Sequence, residues 1–148
     1  MNKKEYIRDG RAPIPEKELT SKIMSSVKDK NTRPELALRK ELWRNDIKGY
    51  RLHWKKVPGR PDIAFPSKKL AIFVNGCFWH RCPYCTPNIP KSNSDFWTTK
   101  FIRNVERDEN KINQLKAINW KSIVIWECQI KTDIRNCVER INKILMEL

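Results

Sequence analysis

PGRPDIAFPSKKLAIFVNGCFWHRCPYC, residues 58–85, is the stretch whose reading decides the fold. Two apolar runs, Asp62-Ile63-Ala64-Phe65 and Leu70-Ala71-Ile72-Phe73-Val74, flank Pro66 and the Lys68-Lys69 pair. Short apolar runs bounded by turn residues read as a hairpin of buried strands, which belongs in the middle of a sheet. Asp62 opens the first strand and Asn75-Gly76 leaves the second. Antiparallel pairing then sets the carboxylate beside the second strand's end, a corner suited to a metal held by one side chain and one backbone carbonyl.

Upstream, Thr32-Arg33-Pro34-Glu35 has the form of a helix start. Thr32 suits the N-cap, Pro34 the first turn, and Glu35 the third position of a capping box. Leu38 with Leu42, and Leu36 with Trp43 and Ile47, have helical spacing, and Gly49 is placed to end the helix. Tyr50 to Trp54 reads as a strand, with His53 packing or facing solvent. Residues 1–19 are polar and aperiodic and read as a mobile arm, leaving residues 20–148 as one domain. Met24, in a short apolar group, is either core or a soft probe for a partner.

Downstream, residues 77–93 are irregular and proline-rich, too long for an idle loop in a small domain. Ser94 is placed to cap a long helix on which Trp97, Phe101, Val105, Asp108, Ile112 and Leu115 share one stripe. Residues 123–126 read as a buried strand, and Thr132 or Asp133 as the cap of a last helix that buries Cys137. The expected fold is therefore α/β, with a central mixed sheet flanked by helices in three layers.

The 148 residues carry 31 Lys and Arg against 17 Asp and Glu, a net charge of +14. Self-repulsion at that charge favours a polyanionic partner. Lys55, Lys56 and Arg60 sit in an acid-free segment from residue 48 to 61 and form a candidate phosphate track. No apolar run is long enough to span a membrane, and the N-terminus has no signal-peptide core, so a cytoplasmic, nucleoid-associated protein is expected.

Five cysteines in a reducing compartment point to metal or free thiols. Cys82 and Cys85 have zinc-knuckle spacing, Cys77 lies five residues earlier, and Cys128 is a candidate fourth ligand with His80 as its competitor. A structural zinc would explain how the long loop stays ordered. Phosphodiester cleavage needs a cation on the phosphate and a base for water. Asp62 could hold Mg²⁺ and His80 could take the proton; the bland alternative for Asp62 is an ion pair with Arg60. The acid and lysine of an ordinary PD-(D/E)-x-K nuclease are missing from the second strand, which reads Phe73-Val74-Asn75. Phe78, Trp79 and Trp97 are candidates for stacking on bases.

Taken together, Thr-Arg-Pro-Glu-Leu-Ala-Leu-Arg after Met24, then Pro-Gly-Arg-Pro-Asp, Gly-Cys-Phe-Trp-His, Asp-Phe-Trp, Asn-Val-Glu-Arg-Asp and Trp-Glu-Cys, resemble the very-short-patch repair (Vsr) endonucleases. That resemblance implies a restriction-endonuclease-like fold with a structural zinc loop. It implies nicking of double-stranded DNA 5′ to the thymine of T·G mismatches left by deaminated 5-methylcytosine. By motif, Asp62 and the Val74 carbonyl resemble the Mg²⁺ ligands, His80 the catalytic base and Glu35 an assisting acid. Cys77, Cys82, Cys85 and Cys128 resemble the zinc ligands. Phe78, Trp79 and Trp97 resemble major-groove wedges, Met24 the minor-groove residue, and Asn104 a further DNA contact. Asn75 stands where the best-known member has histidine; an amide orients a phosphate or water but does not shuttle a proton. A monomer linked in function to a cytosine-5 methyltransferase is expected.

Overall fold

The computed structural model describes residues 30–148. Met24 and the expected arm over residues 1–19 lie outside the described residues. Helix α1 (Arg33–Arg44) precedes β1 (Arg51–Leu52), β2 (Ile63–Phe65) and β3 (Leu70–Asn75). A single turn, α2 (Cys77–His80), leads through the irregular loop to α3 (Ser94–Ala117), β4 (Lys121–Trp126) and α4 (Glu127–Glu147).

The sheet runs β1-β2-β3-β4. The first three strands are antiparallel, and β4 lies parallel to β3, with α3 in the crossover. Residues alternate across a strand, so the central hairpin feeds two cores. Ile63, Phe65, Leu70 and Ile72 meet Leu38 and Leu42 of α1 and Val138 and Ile141 of α4. On the other face, Ala64, Ala71 and Phe73 meet Leu115 of α3 and Trp120. This is the expected three-layer α/β arrangement, and the hairpin, buried on both faces, is its centre.

The departures are local. Helix α1 stops at Arg44 with Asn45 as its C-cap; Gly49, at φ +88°, lies beyond it. Leu38 and Leu42 are buried, but Leu36 and Trp43 are 49% and 57% exposed, so the buried stripe is narrower than the apolar one. The first strand keeps only two of its five expected residues. Asn93, in left-handed backbone, is the N-cap of α3 in place of Ser94. β4 is an edge strand, and only Ile125 within it is fully buried. Helix α4 breaks at Asp133, whose Oδ1 accepts the Asn136 N–H at 3.1 Å, so Asp133 does cap the last helical stretch. Cys137 is fully buried, as expected. No helix among the described residues is long and apolar enough to cross a membrane.

Candidate active site and metal centres

Asp62 sits just before β2, where the sheet register brings three elements together. The His53 N–H donates to the Asp62 carbonyl at 3.1 Å, extending the β1–β2 ladder by one residue. The Val74 N–H donates to Asp62 Oδ2 at 2.7 Å, so the carboxylate does lie beside the end of β3. No ion pair joins it to Arg60 among the described residues. Glu35 approaches from α1. Thr32 caps that helix by accepting from the Glu35 N–H, but the reciprocal contact differs from a capping box: Glu35 Oε2 accepts from the Asn31 N–H at 3.1 Å. The same oxygen lies 3.0 Å from His53 Nε2. Glu35 is 3% exposed, too deep for a residue whose only task is a cap.

One ligand atom each from Glu35, His53 and Asp62 lies within 4.8 Å of the others. Neighbouring ligands of an octahedral ion with bonds of about 2.1 Å are roughly 3 Å apart, so the cluster fits a divalent cation with little adjustment. Its electrostatics agree. Burial pushes the Asp62 carboxyl up to about 6, the Val74 N–H opposes this, and the Glu35 charge adds to it. A buried and a half-buried carboxylate side by side are costly without a cation between them.

His80 ends α2, while Cys77 begins it. One helical turn therefore carries a cysteine at its start and an imidazole at its end. His80 Nδ1 lies 2.6 Å from Asp108 Oδ2, the polar exception on the apolar stripe of α3. With Nδ1–H donating to that carboxylate, the Nε2 lone pair is left for a proton.

The sulfur atoms of Cys77, Cys82, Cys85 and Cys128 all lie within 4.8 Å of one another, and His80 is not among them. Cys82 Sγ and Cys128 Sγ are 3.7 Å apart, far beyond a disulfide bond. Ligands 2.3 Å from a tetrahedral ion sit about 3.8 Å apart, so four thiolates fit zinc here. Burial raises the Cys77 thiol, although the Cys128 N–H donates to its sulfur at 3.3 Å. Burial also acts on Cys82, but the N–H groups of Cys85 and Tyr84 outweigh it and hold that thiol below its ordinary value.

Phe78 packs at 5.1–5.5 Å from Trp79, Trp97 and the buried Phe101. Within this cluster Trp79 lines the large cleft. Its carbonyl accepts from Asn104 Nδ2 at 3.0 Å, and Lys100 Nζ lies 5.8 Å from its ring.

The cleft, about 1330 Å³, is lined by Glu35, His53, Asp62, Val74, Asn75 and His80. Lys55 and Arg60 also line it, whereas Lys56 stacks over Trp54 and is not part of the lining.

The family follows from comparison with known proteins. The sequence model of the family described as DNA mismatch endonuclease Vsr matches residues 13–85. The chain is 42% identical over 123 residues to the type II nicking enzyme V.XorIIP of Xanthomonas oryzae pv. oryzae, covering 83% of this chain and 89% of that protein. It is 31% identical to the DNA mismatch endonuclease Vsr of Escherichia coli K12, over 81% of this chain and 76% of that one. The chain belongs to the Vsr family. It is a DNA endonuclease, and the cleft is its candidate active site.

Three features of this Vsr-family site escape a reading of the sequence alone. His53 neither packs idly nor faces solvent: it joins the Glu35–Asp62 pair from a left-handed backbone conformation (φ +44°). Asp108 is the partner of His80, 28 residues away in sequence. Lys100, Arg107 and Lys111 line the cleft from the face of α3 that also carries Asn104, the DNA contact expected from the sequence. Their spacing at 100, 104, 107 and 111 is helical and is open to the same periodicity argument that finds the apolar stripe.

Proposed function

We propose that this Vsr-family endonuclease nicks one strand of duplex DNA, 5′ to the thymine of T·G mismatches arising from deaminated 5-methylcytosine. The observation that carries this reading is α2. Its single turn holds Trp79 and His80 side by side at the cleft, with the cysteine cluster fixing its first residue.

Asp62, with the Val74 carbonyl, would hold a catalytic Mg²⁺, and the four cysteines a structural zinc. A divalent cation bound there supplies neutralisation of the phosphate charge and a water more easily deprotonated. His80 Nε2 would accept the proton of the attacking water, while Asp108 holds the ring in the required tautomer. Glu35 assists from beside Asp62, and the buried Asn75 amide orients phosphate or water. Lys55, Arg60, Lys100, Arg107 and Lys111 hold the backbone of the duplex. One centre per chain suits a monomer that cuts one strand. The substrate arises where a cytosine-5 methyltransferase has acted, which makes such an enzyme the functional partner.

Mismatch selectivity follows from stacking. Opening a matched step costs a few kcal/mol and a weakly stacked wobble less, while a base stacked on an aromatic gains roughly 1–3 kcal/mol. Trp79 offers that stacking face, braced by Phe78 and Trp97. Trp79→Ala is expected to lower the ratio of T·G to matched cleavage about tenfold or more, with nonspecific affinity little changed. An unchanged ratio would return Trp79 to ordinary packing. Asp108→Asn is expected to reduce the single-turnover rate about 10²-fold with DNA affinity retained, since general-base catalysis is worth 10²–10⁴-fold; wild-type rates in this variant would remove His80 as the base.

The test of the overall reading is cleavage of T·G and matched duplexes with Mg²⁺ or with EDTA. Mg²⁺-dependent cutting confined to T·G is expected. Equal cutting of matched DNA would make the protein a restriction-type nuclease, and no cutting of either a DNA-binding module.

A further inference from the structure

We propose that His53 is a direct ligand of the cation that Asp62 holds, so that this site selects Mn²⁺ over Mg²⁺. The inference rests on the reading above that a divalent cation sits at Asp62. Its own basis is the donor set. His53 Nε2, a Glu35 oxygen and an Asp62 oxygen converge within 4.8 Å, and the 3.0 Å between His53 and Glu35 equals the spacing of adjacent octahedral ligands.

The imidazole is fixed there by the sheet. The His53 N–H is bonded to the Asp62 carbonyl, so the two side chains issue from facing residues at the end of the β1–β2 ladder. The His53 side chain is 13% exposed and that of Glu35 is 4% exposed, so neither ligand must be drawn in from solvent. Both line the cleft in which the phosphate is cut.

Ligand chemistry then sets the preference. Mg²⁺ favours oxygen donors and keeps its waters, whereas a site offering one neutral nitrogen beside two carboxylates suits Mn²⁺ and the later divalent metals better. Mg²⁺ still binds through the carboxylates, but without gain from the nitrogen. An ordinary His–Glu hydrogen bond with no ligand role is the competing account, and it predicts no metal selectivity.

The test uses Mn²⁺ alone, added to the full-length DNA-free protein and followed by electron paramagnetic resonance. The wild-type spectrum is expected to show ¹⁴N coupling from a bound imidazole. His53→Gln keeps a side chain that can hydrogen-bond Glu35 but removes the nitrogen ligand. It is expected to lose the coupling and about tenfold in Mn²⁺ affinity, with Mg²⁺ affinity from competition changed no more than about twofold. Asp62→Asn is expected to lose binding of both ions. If Asp62→Asn binds Mn²⁺ as the wild type does, the cation reading fails and this inference with it. If Asp62→Asn loses binding but the wild type shows no nitrogen coupling, or the coupling survives in His53→Gln, the inference alone is overturned. The wild-type spectrum decides this even if the His53 variant does not fold.

Discussion

Asp62→Asn is expected to abolish nicking, by about 10³-fold or more, while leaving DNA affinity largely intact and making the metal-free protein more stable at neutral pH. The loss of activity follows from removing the charge that, in the proposed mechanism, would hold the cation. Affinity survives because it comes from Lys55, Arg60 and the basic face of α3. The gain in stability follows from the environment. Burial and the Glu35 charge hold the Asp62 carboxyl up at about 6, against an ordinary 3.8. A raised carboxyl favours the fold most when protonated. That contribution is complete below the unfolded value and is lost as pH rises through about 6. Holding the carboxyl that far above its ordinary value costs the ionised fold on the order of 2–3 kcal/mol. At pH 7.5 without divalent cation, Asp62→Asn should melt roughly 5–8 °C above the wild type, and near pH 4 the two should coincide. Calorimetry at both pH values checks this. A variant less stable than the wild type at pH 7.5 would mean that the two carboxylates are not under strain.

The second large effect is expected at the cysteine cluster. Cys85→Ser should yield protein without bound zinc, with the loop over residues 77–93 open to protease and nicking lost. Structural zinc contributes roughly 10–16 kcal/mol in small sites, comparable to the whole stability of a domain. Here the contribution is directed. Cys77 begins the turn that His80 ends, and Cys128 stands at the start of α4 beside the end of β4. Opening the cluster therefore displaces His80 and Trp79 together, while α1, the hairpin and α4 keep their own core. Elemental analysis with limited proteolysis measures this; a zinc-free protein that nicks at the wild-type rate would contradict it.

What the sequence makes legible here is what is local. Asp62 at the strand head, the two-residue spacing of Cys82 and Cys85, and the Phe78-Trp79-His80 run each stand out within a few residues, and the structure places Asp62, Trp79 and His80 at the cleft and the two cysteines in one cluster. The hairpin over residues 62–75 is legible for the same reason: it is short, apolar and bounded by turn residues. Long-range partnerships are not legible in this way. Asp108 reads as a flaw in an apolar stripe until α3 is laid against α2, where it becomes the partner of His80. His53 looks idle until the β1–β2 register sets it opposite Asp62. The extent of α1 is misjudged because Ile47 keeps helical spacing with Leu36 and Trp43 yet packs on the core from beyond the helix's end, while Leu36 and Trp43 stay exposed. The basic residues of α3 are hidden by a different cause, since a charged helix face is ordinarily just solvated; only the cleft beside it gives them a task.

The central claim is that one strand is cut, beside the mismatched thymine, by a single centre built from Asp62 and His80. The measurement that bears on it most directly is single-turnover cleavage of a T·G duplex with each strand labelled in turn and the product run against a sequence ladder. One cut is expected, on the thymine strand only, at the phosphate 5′ to the mismatched T, and no cut for His80→Ala. Cleavage of both strands, or a cut at the same rate when the T·G pair is replaced by C·G, would contradict it.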